Sequence, residues 1–147
     1  MLNISKFRVE KMVKIIEKKR ARNQKEFNKI YEKIDRLIKA GKWKKPESIP
    51  KFDKDVLGYY LVYAKAEKKE KRGDLRGAAK LYWKNIFVNG TDAPANFRRL
   101  LIVLDKLNEL EDELKVARVY LHFVGDRDQL WLERRIKRLQ KKQGGQL

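Results

Sequence analysis

Leu57-Gly-Tyr-Tyr60-Leu-Val-Tyr63-Ala-Lys-Ala66, Arg72-Gly73-Asp74-Leu75 and Arg76-Gly-Ala78-Ala-Lys-Leu-Tyr82-Trp83 form one stretch whose reading decides the fold. Leu57, Tyr60, Leu61 and Ala64 recur at helical spacing, and so do Leu75, Ala78, Ala79, Tyr82 and Ile86, which predicts two helices with their apolar faces turned inward. Gly73 stands between them, and glycine is the residue that ends a helix in the left-handed conformation without a steric penalty. Asn89-Gly90 ends the second helix in the same way, and Thr91-Asp92-Ala-Pro94 then starts a third, with a capping side chain and proline in the first turn. Phe97, Leu100, Leu101 and Leu104 form its face. A turn at Asn108-Glu109 leads to Leu110, Leu114, Ala117 and Leu121, which predict a further inward face, closed by Gly125. Asp126 is placed to cap a last helix carrying Leu132, Ile136 and Leu139, with a frayed tail from Gln143.

Upstream, Val9, Met12, Val13 and Ile16 make a short apolar stripe, and Asn23-Gln-Lys-Glu26 has the form of a capping box. Phe27, Ile30, Tyr31, Ile34, Leu37 and Ile38 predict an amphipathic helix over 24–40 that Gly41 closes; residues 5–22 either continue it or form a helix of their own. Residues 41–54 hold two prolines and no periodicity, which marks a linker. The expected organisation is a basic N-terminal long helix or helical hairpin over 1–40, a linker over 41–54 and a helical region over 55–147. Alternation of the strand type is missing throughout, so the fold class is all-α.

The second hairpin echoes the first. Gly73-Asp74-Leu75 aligns with Asn108-Glu109-Leu110, 35 residues on, and a period near 34 is the tetratricopeptide spacing. With Ala66, Ala78 and Tyr82 in the first copy and Leu100, Leu101 and Leu104 in the second, residues 55–124 resemble a tetratricopeptide-repeat protein with two degenerate copies. Lys69 stands where that family has an aromatic residue, and Glu113 where it has the alanine of its second helix. The resemblance implies hairpins stacked as a short right-handed solenoid, with helices 24–40 and 127–142 capping its edges. It also implies a concave groove lined by Tyr60, Tyr63, Glu67, Lys71, Arg98, Ile102 and Asp105, in which an arginine could grip a carboxylate of a protein or peptide partner. Tyr60 shares its stripe with Leu57 and Ala64, so it fits the core as well as the groove.

Charge points to a second reading. The net charge is +18, and residues 1–54 alone hold 18 Lys and Arg against 7 Asp and Glu. Such asymmetry is an electrostatic footprint for polyanions. Lys18, Lys19, Arg20 and Arg22 either track a phosphate backbone or simply solvate a helix face. Trp43, among Lys42, Lys44 and Lys45, either stacks on an unpaired base or folds back onto a helical core.

Other features carry less. The chain has no cysteine, which removes disulfides and thiolate metal sites and fits a reducing, cytoplasmic setting. No apolar run spans a bilayer or resembles a leader, so no membrane association is expected. His122 on an apolar helix is expected in the core, with no second ligand spaced to join it. Arg72-Gly73-Asp74 is accounted for by its turn, Asn89-Gly-Thr91 would be a glycosylation acceptor only in a secreted chain, and Asp126-Arg-Asp128 lacks the ligands of a calcium loop. Glu67, Glu70 and Asp105 could meet a partner in three dimensions, but nothing in the sequence favours them. No Gly-rich phosphate loop, nucleophile–base constellation or metal set can be assembled, and no cofactor is expected. The sequence reads as a non-enzymatic adaptor for a protein partner, acidic in character, with nucleic-acid binding through the basic N-terminal region as the alternative. Exposed repeat edges leave room for self-association.

Overall fold

A computed structural model describes residues 1–43, 58–90 and 94–145. Among them are six α-helices: α1 (Val9–Lys39), α2 (Gly58–Lys71), α3 (Leu75–Trp83), α4 (Pro94–Lys106), α5 (Leu110–Leu121) and α6 (Asp126–Gly145). A π-helical turn, Lys84–Val88, extends α3. No strand occurs among the described residues. The expected linker beyond Trp43, with Lys44 and Lys45, lies outside the described residues, as does the Thr91-Asp92 cap.

From α2 onward each helix packs on the next, α2 on α3, α3 on α4, α4 on α5 and α5 on α6. Short turns enforce this order. At the first, Arg72, Gly73 and Asp74 donate their backbone N–H groups to Lys68, Glu70 and Lys69, and Ala78 donates to Asp74. At the second, Leu107, Asn108, Glu109 and Glu113 donate to Val103, Asp105, Leu104 and Glu109. These are the same four bonds shifted by 35 residues, all between 2.9 and 3.1 Å. Gly73 has φ +86° and Asn108 φ +56°, so both turns end their helix in a left-handed residue of the Schellman type. Asparagine is one of the few side-chain-bearing residues that visits this region.

Apolar burial holds the stack together. Ala66, Ala78 and Ala79 are fully buried where α2 meets α3, and their small side chains let the backbones approach closely. Helix α4 is central, with Phe97, Leu100, Leu101, Val103 and Leu104 all at 0% exposure. Phe97 stacks on Tyr120 of α5 at 4.4 Å between ring centres.

Two expected faces are turned. Leu61 is 50% exposed and Ala64 is exposed, whereas Ala66 is buried and Tyr63 and Glu70 are half-buried. Positions 63, 66 and 70 define the inward side of α2 because Glu70 finds partners there, which a count of apolar residues does not register. Leu121 and His122 are both exposed: α5 ends at these residues, and it is Phe123 and Val124 that pack against the core.

Helix α1 is one continuous element of 31 residues. Asn23 therefore sits inside it rather than capping a second helix. Gly41, at φ +69°, does close it, with Gly41 and Lys42 donating to Ile38 and Leu37. Met12, Val13 and Ile16 bury against the core as α1 lies across α5 and the π turn. Ahead of α1, the Lys115 ammonium is held by the carbonyls of Ile4, Ser5 and Phe7 at 2.7–3.1 Å, and Asp112 accepts the Leu2 N–H at 2.9 Å.

The π turn is what α1 grips. Lys19 donates to the Phe87 carbonyl at 2.6 Å with its ammonium also over the Phe87 ring. Asn23 donates to the Asn89 carbonyl, Asn89 to the Asn85 side chain, and buried Asn85 to buried Asn96 of α4. Amides hidden from water need such partners. Gly90, at φ +73°, lies directly under α1: a Cβ there would stand 2.5 Å from Lys19 Cβ and 3.2 Å from its carbonyl carbon. Gly90→Ala is therefore expected to cost about 2–4 kcal/mol through backbone strain and overlap. That corresponds to a drop of roughly 10 °C in a thermal melt followed by circular dichroism.

Candidate binding surfaces

Of the residues expected to line a groove, Tyr63 and Glu67 on α2 match Arg98 and Ile102 on α4, and Lys71 matches Lys106, a residue outside that set. Tyr63, Glu67 and Lys71 lie on successive turns of α2, and Arg98, Ile102 and Lys106 lie 35 residues further along each on α4. Tyr63, Glu67, Arg98, Ile102 and Asp105 are half-buried and Lys71 is exposed. The Tyr60 side chain lies outside the described residues. Tyr63 packs against Tyr82 at 5.6 Å, and burial pushes its phenol up, with Glu67 adding to the shift and Arg99 opposing it.

Most charges on this side have partners within the chain. Glu70 of α2 accepts the Tyr82 hydroxyl of α3 at 2.9 Å and Arg99 Nε of α4 at 3.1 Å on one oxygen, while Arg99 Nη2 donates to the other. A second junction repeats this chemistry. Asp128 of α6 accepts the Tyr120 hydroxyl of α5 at 2.6 Å and Arg98 Nη1 of α4 at 3.0 and 3.2 Å. Arg98, the arginine expected to grip a partner's carboxylate, already holds one of its own chain. Asp105 lies 3.5 Å from Arg138 and 3.9 Å from Lys142. Glu113 is buried and paired with Arg135 at 2.8 Å.

Burial pushes the Glu70 carboxyl up, but hydrogen bonds from Arg99 and Tyr82 and the charges of Arg99 and Lys106 outweigh it, and the group lies below its usual range. Tyr82 and Tyr120 are pushed up, first by burial and then by donating to Glu70 and Asp128. Burial pushes Glu113 up as well; the Arg135 hydrogen bond opposes that shift, and the Asp105 charge adds to it.

The basic N-terminal candidates divide. Lys18 and Arg22 are exposed, whereas Lys19 is drawn into the π turn and the Arg20 guanidinium lies 5.8 Å from the centre of the Phe123 ring. Lys42 is exposed, and Trp43 is half-buried, its backbone N–H on the Leu37 carbonyl. A basic cleft of about 460 Å³ that sequence reading missed lies between residues 5–10 and α5, lined by Lys6, Arg8, Lys115, Arg118 and His122, with Glu10 at its edge. Its cations come from two segments far apart in the sequence, so no local pattern announces it. The Glu70 and Asp128 junctions were missed for the same reason. Among the described residues, no group of three or more His, Asp or Glu could hold a metal ion. Likewise no helix among them is long and apolar enough to cross a membrane.

Comparison of the chain with family models, with curated proteins and with solved structures returns no match in any of the three.

The Glu70 junction makes a prediction about acid. Its folded-state pKa is lowered, so its contribution is present above the ordinary value of 4.5 and is lost as pH falls through the lower folded value. Glu113 has the opposite sign, its ionisation opposing the fold as pH rises. Comparing Glu70→Gln with the parent isolates the first effect. The variant is expected to be about 1–3 kcal/mol less stable at pH 7. Denaturant melts should show that gap closing as pH falls from 5 to 3.

Proposed function

We propose that the protein is a non-enzymatic, tetratricopeptide-like adaptor that binds a protein segment along the surface shared by α2 and α4. The observation that carries this reading is the recurrence of all four backbone hydrogen bonds at the Gly73 and Asn108 turns. Two hairpins with the same turn geometry and the same 35-residue offset support an arrangement in which equivalent helix faces would lie side by side.

On that surface Tyr63 and Ile102 offer half-buried apolar contact, and Lys71 and Lys106 are exposed cations at equivalent helix ends. A segment that sets an apolar side chain between acidic residues fits this combination. Arg98 and Arg99 act through position. Bound to Asp128 and Glu70, they hold the surface in shape, and a partner's carboxylate would have to displace an internal one to use them. Preorganisation of this kind lowers the ordering cost of binding.

The test uses two double variants on the full chain. Tyr63→Ala with Ile102→Ala removes the apolar contact; Lys71→Glu with Lys106→Glu reverses the charge. Proteins crosslinked to the parent in a nuclease-treated lysate of its own host are expected to fall at least roughly tenfold with either variant, the loss typical of a binding hot spot. Helix content by circular dichroism should be unchanged. Equal capture by both variants and the parent would overturn the groove.

A further inference from the structure

Helix α1 carries a pattern of a different kind. Lys14, Lys18, Arg22, Lys25, Lys29 and Lys33 follow one another at spacings of 4, 4, 3, 4 and 4, and Lys11 and Arg36 extend the same line by three residues at each end. At 3.6 residues per turn all eight fall within an arc of about 100°, and at 1.5 Å per residue the line is roughly 37 Å long. Every one of them is exposed. Of the five acids in α1, Glu26 and Glu32 border the stripe, and Glu10, Glu17 and Asp35 sit to its side.

The opposite side of the helix fixes which way this line faces. Met12, Val13 and Ile16 are buried against the core, Lys19 is bonded to the Phe87 carbonyl, and Asn23 is bonded to the Asn89 carbonyl. With residues 12–23 clamped on that side, the cations are held outward.

We propose that this face of α1 is a binding rail for the phosphate backbone of double-stranded nucleic acid, independent of base sequence and separate from the α2–α4 surface. Apart from half-buried Ile15 at its edge, the stripe contains no apolar or aromatic side chain. Protein interfaces are depleted in lysine and built around desolvated aromatic or apolar anchors, so an acidic protein would find charge here but no anchor. Single strands are held by stacking on aromatic rings, which the stripe also lacks. A lipid surface would need the apolar side of the helix, which is buried in the fold at Met12, Val13 and Ile16. Among the described side chains further along α1, only Tyr31 and Ile38 are large, apolar and exposed, so anionic vesicles form the competing arm of the test. A duplex asks only for a stiff row of cations, since it carries a phosphate charge about every 1.7 Å along its axis. Lys19 and Arg20 do not belong to the rail; they join α1 to the π turn and to Phe123.

The test is a salt titration of binding to a fluorescent duplex of arbitrary sequence, about 20 base pairs long. Neutralising each phosphate contributes a log–log slope of about −0.9, so four to eight contacts give a slope of roughly −4 to −7. Lys18→Gln, Arg22→Gln, Lys25→Gln and Lys29→Gln together should make that slope shallower by about 3 to 4. Affinity at low salt should fall by at least roughly a hundredfold, with helix content retained in circular dichroism. Lys65→Gln, Lys68→Gln, Lys80→Gln and Lys84→Gln remove equal charge from exposed positions off the rail and should leave the slope within about one unit. Equal effects of the two quadruple variants would reduce the interaction to net charge and overturn the rail. So would absence of duplex binding at low salt, equal competition by poly-glutamate, or retention on anionic vesicles in place of duplex. None of these outcomes bears on the Tyr63 and Ile102 variants, so the two surfaces are judged apart.

Discussion

One carboxylate joins three helices: Glu70 of α2 accepts from Tyr82 of α3 and from Arg99 of α4. Hydrophobic burial pulls these helices together without choosing how far one slides along the next, because apolar contact is non-directional. A half-buried carboxylate does choose, since leaving any of its partners out of reach would strand a charge in a poorly hydrated place. Asp128 performs the same service at the other end for α4, α5 and α6, again with one tyrosine and one arginine. The order of packing thus has apolar surface as its driving force and two three-helix junctions as its register.

The turns were legible because their chemistry is local. Gly73 and Asn108 announce left-handed helix ends, Pro94 opens α4, and the 35-residue offset between turns follows from those positions. What escaped is what depends on residues far apart. The inward side of α2 is set by Glu70, a polar residue that periodicity counts as outward, so Leu61 and Ala64 were placed inside and are exposed. His122 looked like a core residue from its neighbours, yet α5 stops there. Asn23 has the form of a helix cap, but its side chain is engaged by the Asn89 carbonyl, and the helix runs straight through it. The residues expected along a groove follow from the sequence resemblance alone. Their internal pairing does not, because Asp128 lies 30 residues from Arg98 and shares no local pattern with it.

The two surfaces differ in how their charge is handled. Along α2, α4 and α6 opposite charges meet inside the chain and hold its shape. Along α1 like charges are set in a row and turned outward. A partner that needs form suits the first, and one that needs only a dense field suits the second.

That row has a consequence for α1 itself. Like charges three and four residues apart repel, at a few tenths of a kcal/mol per pair, and the line holds seven such steps. The stretch of α1 beyond Asn23 has no described apolar side chain fully buried to offset this: Ile34 and Leu37 are half-buried, Ile38 is 55% exposed and Tyr31 53%. Its helicity therefore depends on the ions around it, and a polyanion laid along the row would act as a structural counterion. If the proposed rail takes a duplex, its occupancy and the helicity of residues 24–39 become one linked equilibrium, in which the ligand would help to build the surface it binds.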